Sequence, residues 1–287
     1  MPLSAMESAG GDDGEMGGPP ACEALMPNLL QYDPIRILGF LLIFARLAGL
    51  MLTAPVFGDN NIPVQVKTFF VLILSLLFYP VVTEPHLGGN PDPLQMLVLT
   101  LGELGVGLLL GFSARLLFVG IGLGGEIAGF QMGLGIANVV DPATGQQTPV
   151  LSQLQVTLAM LLFVVLDGHL LLIRAVAESY ELVGPGAISL SQQAYEYYVN
   201  LTGNLFLIGL QIGAPLIVAL LAANFAIGLI ARSVPQVNIF VVGFPFTIAL
   251  GLLFLVLGFP FFIKAVLMLH DRLEGLMVQA MRVLGAG

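Results

Sequence analysis

The sequence predicts an all-α, integral-membrane-type fold of helical hairpins, with about six hydrophobic segments, some of them broken, and a glycine-rich re-entrant loop. Of the 287 residues, 57% are hydrophobic and 9% are charged, whereas a soluble domain carries roughly 25% charged residues. So few charges cannot cover a globule of this size with a solvated surface. Several apolar runs also reach the length of about 20 residues that a bilayer-spanning helix needs.

The first element is an acidic tail. Residues 1–27 are rich in Gly, Pro, Ser and acids, which predicts disorder, and they lack the basic and apolar regions of a secretory signal. The net charge of −9 comes largely from this tail, and the bases elsewhere do not cluster. A nucleic-acid partner is therefore disfavoured. The single cysteine, Cys22, excludes an intramolecular disulfide framework and a multi-cysteine metal site.

Six hydrophobic segments follow the tail. They cover residues 37–57, 69–82, 94–119, 154–166 with a continuation at 170–173, 199–230 and 237–263. Turn-rich or polar stretches separate them at 58–63, 83–93, 142–149, 183–203 and 231–238. With only nine bases in the chain, the charge bias of the loops gives little information about orientation.

Charges and prolines interrupt these segments. The charged residues are Arg46, Glu103, Arg115 and Asp167, and the prolines are Pro55, Pro215, Pro245 and Pro260. An unpaired charge in hydrocarbon costs several kcal/mol, and each proline removes a backbone hydrogen bond. Taken singly, each of them fits two interpretations equally well: a charge near a helix end or an ordinary proline kink, or a helix buried against protein. Together they favour helices buried against protein, where freed backbone groups find partners.

The centre of the chain, 102–142, is rich in glycine. Pairs at 107/111, 120/124, 125/129 and 129/133 have the spacing that lets membrane helices approach closely. Each glycine also weakens a helix by roughly 0.5–1 kcal/mol, which predicts that 124–135 is not part of one straight helix. The apolar stretch 130–142 ends in Asp141-Pro142. Composition alone fits a movable plug lining a pore and a re-entrant loop without function equally well.

Four ordered blocks between about 38 and 257 resemble the FliR-type export-gate family of bacterial flagella, which has injectisome relatives. The first block runs from Arg46-Leu47 to Thr53-Ala54-Pro55, with Ile62-Pro63 and Val66-Lys67. The second is Gly125-Glu126-Ile127-Ala128-Gly129-Phe130-Gln131-Met132-Gly133 with Val140-Asp141-Pro142. The third is Gly168-His169 after an apolar helix. The fourth comprises Asn224, Gly228-Leu229, Arg232, Pro235-Gln236, Ile239-Phe240 and Gly243-Phe244-Pro245.

The resemblance implies a non-enzymatic subunit of the type III protein-export gate. Residues 28–273 would form the export-gate domain and 274–287 a C-terminal tail. The chain would join FliP-type and FliQ-type subunits and the FlhB-type switch protein in the bacterial inner membrane, within the flagellar basal body. Unfolded exported proteins would pass through this gate, and neither a cofactor nor a metal is implied. Much of the apolar sequence would stand above the lipid plane, packed on neighbouring helices.

The resemblance also implies roles for individual residues. Segment 132–147 would be a plug loop that closes the channel at rest. Its plug and pore residues would be Met132, Gly133, Leu134, Gly135, Ile136, Val139, Val140, Asp141 and Pro142. The apolar members would seal the channel, and Gly133 and Gly135 would let the loop move aside. The signature and packing residues would be Arg46, Pro55, Pro63, Lys67, Glu126, Gln131, His169, Asn224, Arg232, Pro235, Phe244 and Pro245.

Other functions fit less well. An injectisome gate subunit matches the signature less closely. A secondary transporter would use Glu103, Arg115, Asp167 and His169 as an ion site, but the only internal repeat is a faint echo between 62–66 and 234–237. A membrane enzyme is disfavoured, because Asp167 and His169 do not share a helix face and the common hydrolase and nucleotide-binding motifs are missing from the sequence.

Overall fold

Apolar segments with few side-chain donors and acceptors satisfy their backbone groups most readily as helices. The computed structural model describes residues 34–58, 62–80, 82, 92–134, 149–187, 191–233 and 239–285, and their regular secondary structure is α-helical throughout. The helices are α1 (Pro34–Thr53), α2 (Val64–Phe78), α3 (Pro93–Gln131), α4 (Val150–Val165), α5 (Gly168–Leu182), α6 (Gln192–Ser233) and α7 (Ile239–Gly285). The predicted all-α fold is confirmed, and the six hydrophobic segments correspond to these helices, with α4 and α5 sharing one.

Four helices, α1, α3, α6 and α7, are long and apolar enough to cross a membrane. The bent pair of α4 and α5, with 67° between its helices, brings the number of candidate spans to five. Helices α3, α6 and α7 contain 39, 42 and 47 residues, or roughly 60 to 70 Å at 1.5 Å per residue. Since the hydrocarbon core is about 30 Å thick, these helices are long enough to continue well beyond it.

Helix α3 corrects one expectation. It runs without a break through Gly124 and Gly125 to Gln131, although the glycine content predicted an interruption. The reason is close packing: a Cβ placed on Gly124 would lie 2.6 Å from the carbonyl oxygen of Gly209 in α6. The contacts made across this interface offset the low helix propensity of glycine.

The prolines inside the long helices do not end them. Pro215 lies within α6, and Pro245 and Pro260 lie within α7. Pro55 lies two residues after the end of α1 and is buried, and Pro63 occupies the N-cap position of α2. Three of the four prolines that interrupt the hydrophobic segments therefore lie inside continuous helices.

The C-terminal boundary also differs from the expectation. Residues 274–285, expected to begin a C-terminal tail, continue α7 as helix. Met277, Ala280, Met281 and Leu284 have 0% exposure, and their spacing of three and four residues places them on one helical stripe. This part of α7 therefore belongs to the core. The acidic tail, 1–27, lies outside the described residues.

Candidate functional site

The end of α3, residues 131–134 (hereafter the α3 terminus), leads directly into the predicted plug loop. Gly133 has a φ of 83°, the left-handed conformation that suits glycine after a helix. The N–H of Gly133 donates to the carbonyl of Phe130 at 3.1 Å, and the N–H of Leu134 donates to the carbonyl of Gly129 at 3.1 Å. These two bonds are the pair expected of a Schellman cap, so local sequence ends the helix at Met132.

The next two carbonyls of α3 are bound by side chains of other helices. Asn224 of α6 donates its Nδ2 hydrogen to the carbonyl of Gln131 at 3.1 Å. Thr247 of α7 donates its hydroxyl to the carbonyl of Met132 at 3.1 Å. The last carbonyls of a helix have no partner within it, so these two long-range bonds complete the cap and fix the α3 terminus to α6 and α7.

Apolar contacts complete the attachment. The side chain of Met132 is 1% exposed, and a Cβ on Gly251 of α7 would lie 2.6 Å from its Sδ and Cε atoms. A Cβ on Gly133 would overlap the ring of Phe244. Met132 belongs to a small cluster of buried residues with Ala128, Leu151, Leu216, Ile217 and Leu220, against which the partly buried Leu134 packs. Two glycines therefore make room for one methionine and one aromatic ring.

The second and fourth sequence blocks meet here. Gln131, Met132 and Gly133 come from the second block, and Asn224 and Phe244 come from the fourth. Sequence reasoning missed Thr247 and Gly251. The periodicity could have indicated them, because 244, 247 and 251 recur at the three- and four-residue spacing of one helix face.

A buried ion pair between Arg46 and Glu103 joins α1 to α3. The Nε and Nη2 atoms of Arg46 donate to the Glu103 carboxylate at 2.5 and 3.0 Å. Nη1 donates to the hydroxyl of Ser179 at 2.9 Å, and Nη2 also donates to the carbonyl of Val183 at 3.1 Å. The guanidinium lies 4.0 Å from the ring centre of Tyr180. Arg46 is 0% exposed and Glu103 is 1% exposed, so the arginine expected to lie against protein is bound by its own chain.

The same carboxylate fixes the turn between α5 and α6. The backbone N–H of Gly186 donates to Oε1 of Glu103 at 2.7 Å, and Gly186 has a φ of 83°. Helices α1, α3 and α5 and this turn therefore share one charge-assisted network. Such bidentate bonds are among the strongest in proteins.

The other predicted signature residues differ in their exposure. Lys67, Glu126 and His169 are partly buried, whereas Asn224, Arg232 and Pro245 are exposed. The Nδ1 atom of His169 and the Oε1 atom of Gln131 are buried without a hydrogen-bond partner. The remaining predicted positions, Gly135, Ile136, Val139, Val140, Asp141, Pro142 and Pro235, lie outside the described residues.

The four residues of the hypothetical ion site are differently engaged. Glu103 is bound to Arg46. Arg115 and Asp167 are exposed on the chain, and His169 is partly buried. Within the described ranges, no group of three or more His, Cys, Asp or Glu side chains could hold a metal ion.

The profile of the family described as "Bacterial export proteins, family 1" matches residues 37–273. The chain belongs to this family. The matched range of this family member includes Arg46, Glu103 and the whole attachment of the α3 terminus.

Curated relatives agree with the profile. The "Flagellar biosynthetic protein FliR" of Bacillus subtilis (strain 168) is 33% identical over 221 residues, which cover 76% of this chain and 85% of the relative. The protein of that name from Escherichia coli (strain K12) is 34% identical over 210 residues, covering 72% and 78%. The one from Pectobacterium carotovorum subsp. carotovorum is 35% identical over 220 residues, covering 76% and 82%. The resemblance to FliR-type export proteins is therefore confirmed for this family member.

Proposed function

We propose that this membrane protein is a non-enzymatic subunit of the flagellar protein-export gate, and that segment 132–147, which begins within the α3 terminus, is the plug loop that closes the gate at rest. The observation that carries the proposal is the attachment of 131–134 to α6 and α7 by two long-range hydrogen bonds and a buried methionine. A plug needs a fixed attachment point (its root, here the α3 terminus), because otherwise its resting position would not be defined. The segment beyond that root carries Ile136, Val139 and Val140, whose apolar side chains would exclude water and ions.

The surface of α6 and α7 supports a role in an assembly. Within their most apolar windows, 33% of the residues of α6 and 17% of those of α7 are buried, compared with 61% for α3. Exposed apolar surface of this extent marks contact with lipid or with other proteins. We assign it to FliP-type and FliQ-type subunits and to the FlhB-type switch protein, in the bacterial inner membrane within the flagellar basal body. Unfolded exported proteins would pass through the complex.

The alternatives have less support. The relatives carry a flagellar name, which favours the flagellar gate over an injectisome gate. The secondary-transporter hypothesis needs Glu103 at an ion site, but its carboxylate is bound by Arg46 and by the backbone of Gly186.

The test replaces residues 135–147 with a Gly-Ser segment of equal length. This change leaves the helix cap of the α3 terminus intact and removes the apolar side chains of the plug. We expect cells carrying the variant to become leaky to small ions while they continue to secrete flagellar proteins. The control replaces 83–91, a turn-rich stretch without Lys or Arg, in the same way and should leave ion leak unchanged. A tight membrane with normal secretion in the 135–147 variant would contradict the plug assignment.

A further inference from the structure

Thr247 and Asn224, the two side chains that donate hydrogen bonds to the α3 terminus, each have a second possible acceptor. The Thr247 hydroxyl lies 3.1 Å from the carbonyl of Met132 and also 3.1 Å from the carbonyl of Phe244 in its own helix. A threonine hydroxyl has one proton to donate. If the α3 terminus moves away, that proton therefore still has an acceptor, although Thr247 is only 3% exposed.

The other donor, Asn224, is exposed on the chain, so its amide can exchange the carbonyl of Gln131 for an acceptor outside the chain, either water or a group of a neighbouring subunit. An unsatisfied buried donor is the usual cost of breaking a long-range hydrogen bond, and neither donor would incur it. Met132 is unbranched and deformable, and it lies against the bare backbone of Gly251. No side-chain branch of residue 251 obstructs the withdrawal of the methionine.

We propose that Thr247 and Asn224 are positioning residues that form a reversible latch on the root of the plug. In the resting gate they bind the carbonyls of Met132 and Gln131. On opening, the Thr247 hydroxyl turns to the carbonyl of Phe244, and the Asn224 amide takes an acceptor outside the chain. This inference rests on the proposed function of 132–147 as the plug loop.

The position of the latch suggests how it is controlled. Both donors lie on α6 and α7, whose apolar windows are the least buried among the four long helices. A partner subunit packed on these helices would change the distance between the donors and the α3 terminus when it moves. The latch therefore couples rearrangement of the neighbouring subunits to release of the plug.

The decisive variant is Thr247→Val, which replaces the hydroxyl by a methyl group of similar size. We expect resting ion leak to rise several-fold while secretion and the amount of assembled complex are kept, and Thr247→Ser to restore wild-type leak. Thr202→Val is the matched control, because the Thr202 hydroxyl donates to Tyr198 of its own helix at an exposed position. Asn224→Ala tests the second bond without a change in the core and should also raise leak.

A second experiment measures how accessible the α3 terminus is to a thiol reagent. Cys22 is the only cysteine, so Cys22→Ser gives a background in which Leu134→Cys is the single thiol. We expect a membrane-impermeant maleimide to label this thiol several-fold faster when Thr247→Val or Asn224→Ala is added, and at an unchanged rate with Thr202→Val. Unchanged leak and labelling in both latch variants would overturn the latch.

The two proposals can fail separately. If the 135–147 replacement leaks but the latch variants neither leak nor label faster, the plug stands and the latch is wrong. If the replacement does not leak, the plug assignment is wrong, and labelling at position 134 still decides whether the two side chains hold the α3 terminus. If Thr247→Val lowers the amount of complex, the ion leak and the labelling rate of Asn224→Ala decide whether the latch exists.

Discussion

Arg46 interrupts an apolar helix, and its environment explains why the helix tolerates it. The guanidinium binds Glu103, Ser179 and the carbonyl of Val183 and lies over the ring of Tyr180. A buried ion pair of this kind is weak evidence for net stability, because desolvating two charges is expensive. Removing one partner, however, leaves an uncompensated charge in the core. The network is therefore more important for the arrangement of α1, α3 and α5 than for the total stability.

We predict that Glu103→Gln will destabilise the protein by about 3–5 kcal/mol, since it leaves the buried guanidinium without its counter-charge. The double variant Arg46→Met with Glu103→Leu should recover most of this loss. The recovery should be incomplete, because the N–H of Gly186 would still lack its acceptor. Thermal denaturation of the solubilised complex measures the effect, with Arg272→Gln at an exposed position of α7 as the control. Equal melting temperatures for Glu103→Gln and the control would contradict the prediction.

Single residues show what the sequence could predict. Asn224 and Phe244 were identified as signature residues, and both contact the α3 terminus. The pairing of Arg46 with Glu103 was not predicted, because the two residues are 57 positions apart and no local periodicity relates them. The role of Thr247 depends on a contact 115 positions away. Composition identifies residues that need a partner, but only the packing of the helices determines which partner they have.

At the scale of helices, the interface between α3 and α6 depends on glycine at matched positions. Gly120 and Gly124 of α3 lie against Gly209 and Gly213 of α6. The sequence spacing predicted close approach, but it also predicted a broken helix, and the second expectation was wrong. Propensity is a weak local preference, and tertiary packing overrides it. The loop predicted from the glycines begins only where Gly133 adopts a positive φ.

Gly209→Ala should separate α3 from α6, because the added Cβ would overlap the carbonyl of Gly120. Overpacking of this kind costs about 1–3 kcal/mol. Gly203→Ala in the same helix is the matched control: a Cβ there meets nothing within 4 Å, so higher helix propensity should stabilise the helix by about 1 kcal/mol. The melting temperature of the complex should therefore fall for the first variant and rise slightly for the second. Equal shifts would show that the helices do not approach each other as closely as the structure indicates.

For the whole molecule, the sequence predicted the helical membrane class and the positions of most helices, since both depend on local composition. It did not predict that α7 continues to Gly285, because the boundary at 274 was implied by the family resemblance alone. The buried stripe at 277, 280, 281 and 284 depends on helices elsewhere in the fold. The same holds for the candidate site. The second and fourth blocks could be identified in the sequence, but their contact at the α3 terminus could not.

The uneven burial of the helices predicts how the isolated chain behaves. Helices α6 and α7 expose long apolar surfaces, including Phe225, Leu229, Phe246 and Val256, while α3 lies at the centre of the fold. A transporter that works alone would remain monomeric in mild detergent, whereas a gate subunit would need partners to cover this surface. We expect the chain to aggregate when expressed alone and to become soluble and monodisperse when co-expressed with FliP-type and FliQ-type subunits. Size-exclusion chromatography with light scattering measures both states, and a stable monomer that gains nothing from the partners would contradict the assembly role.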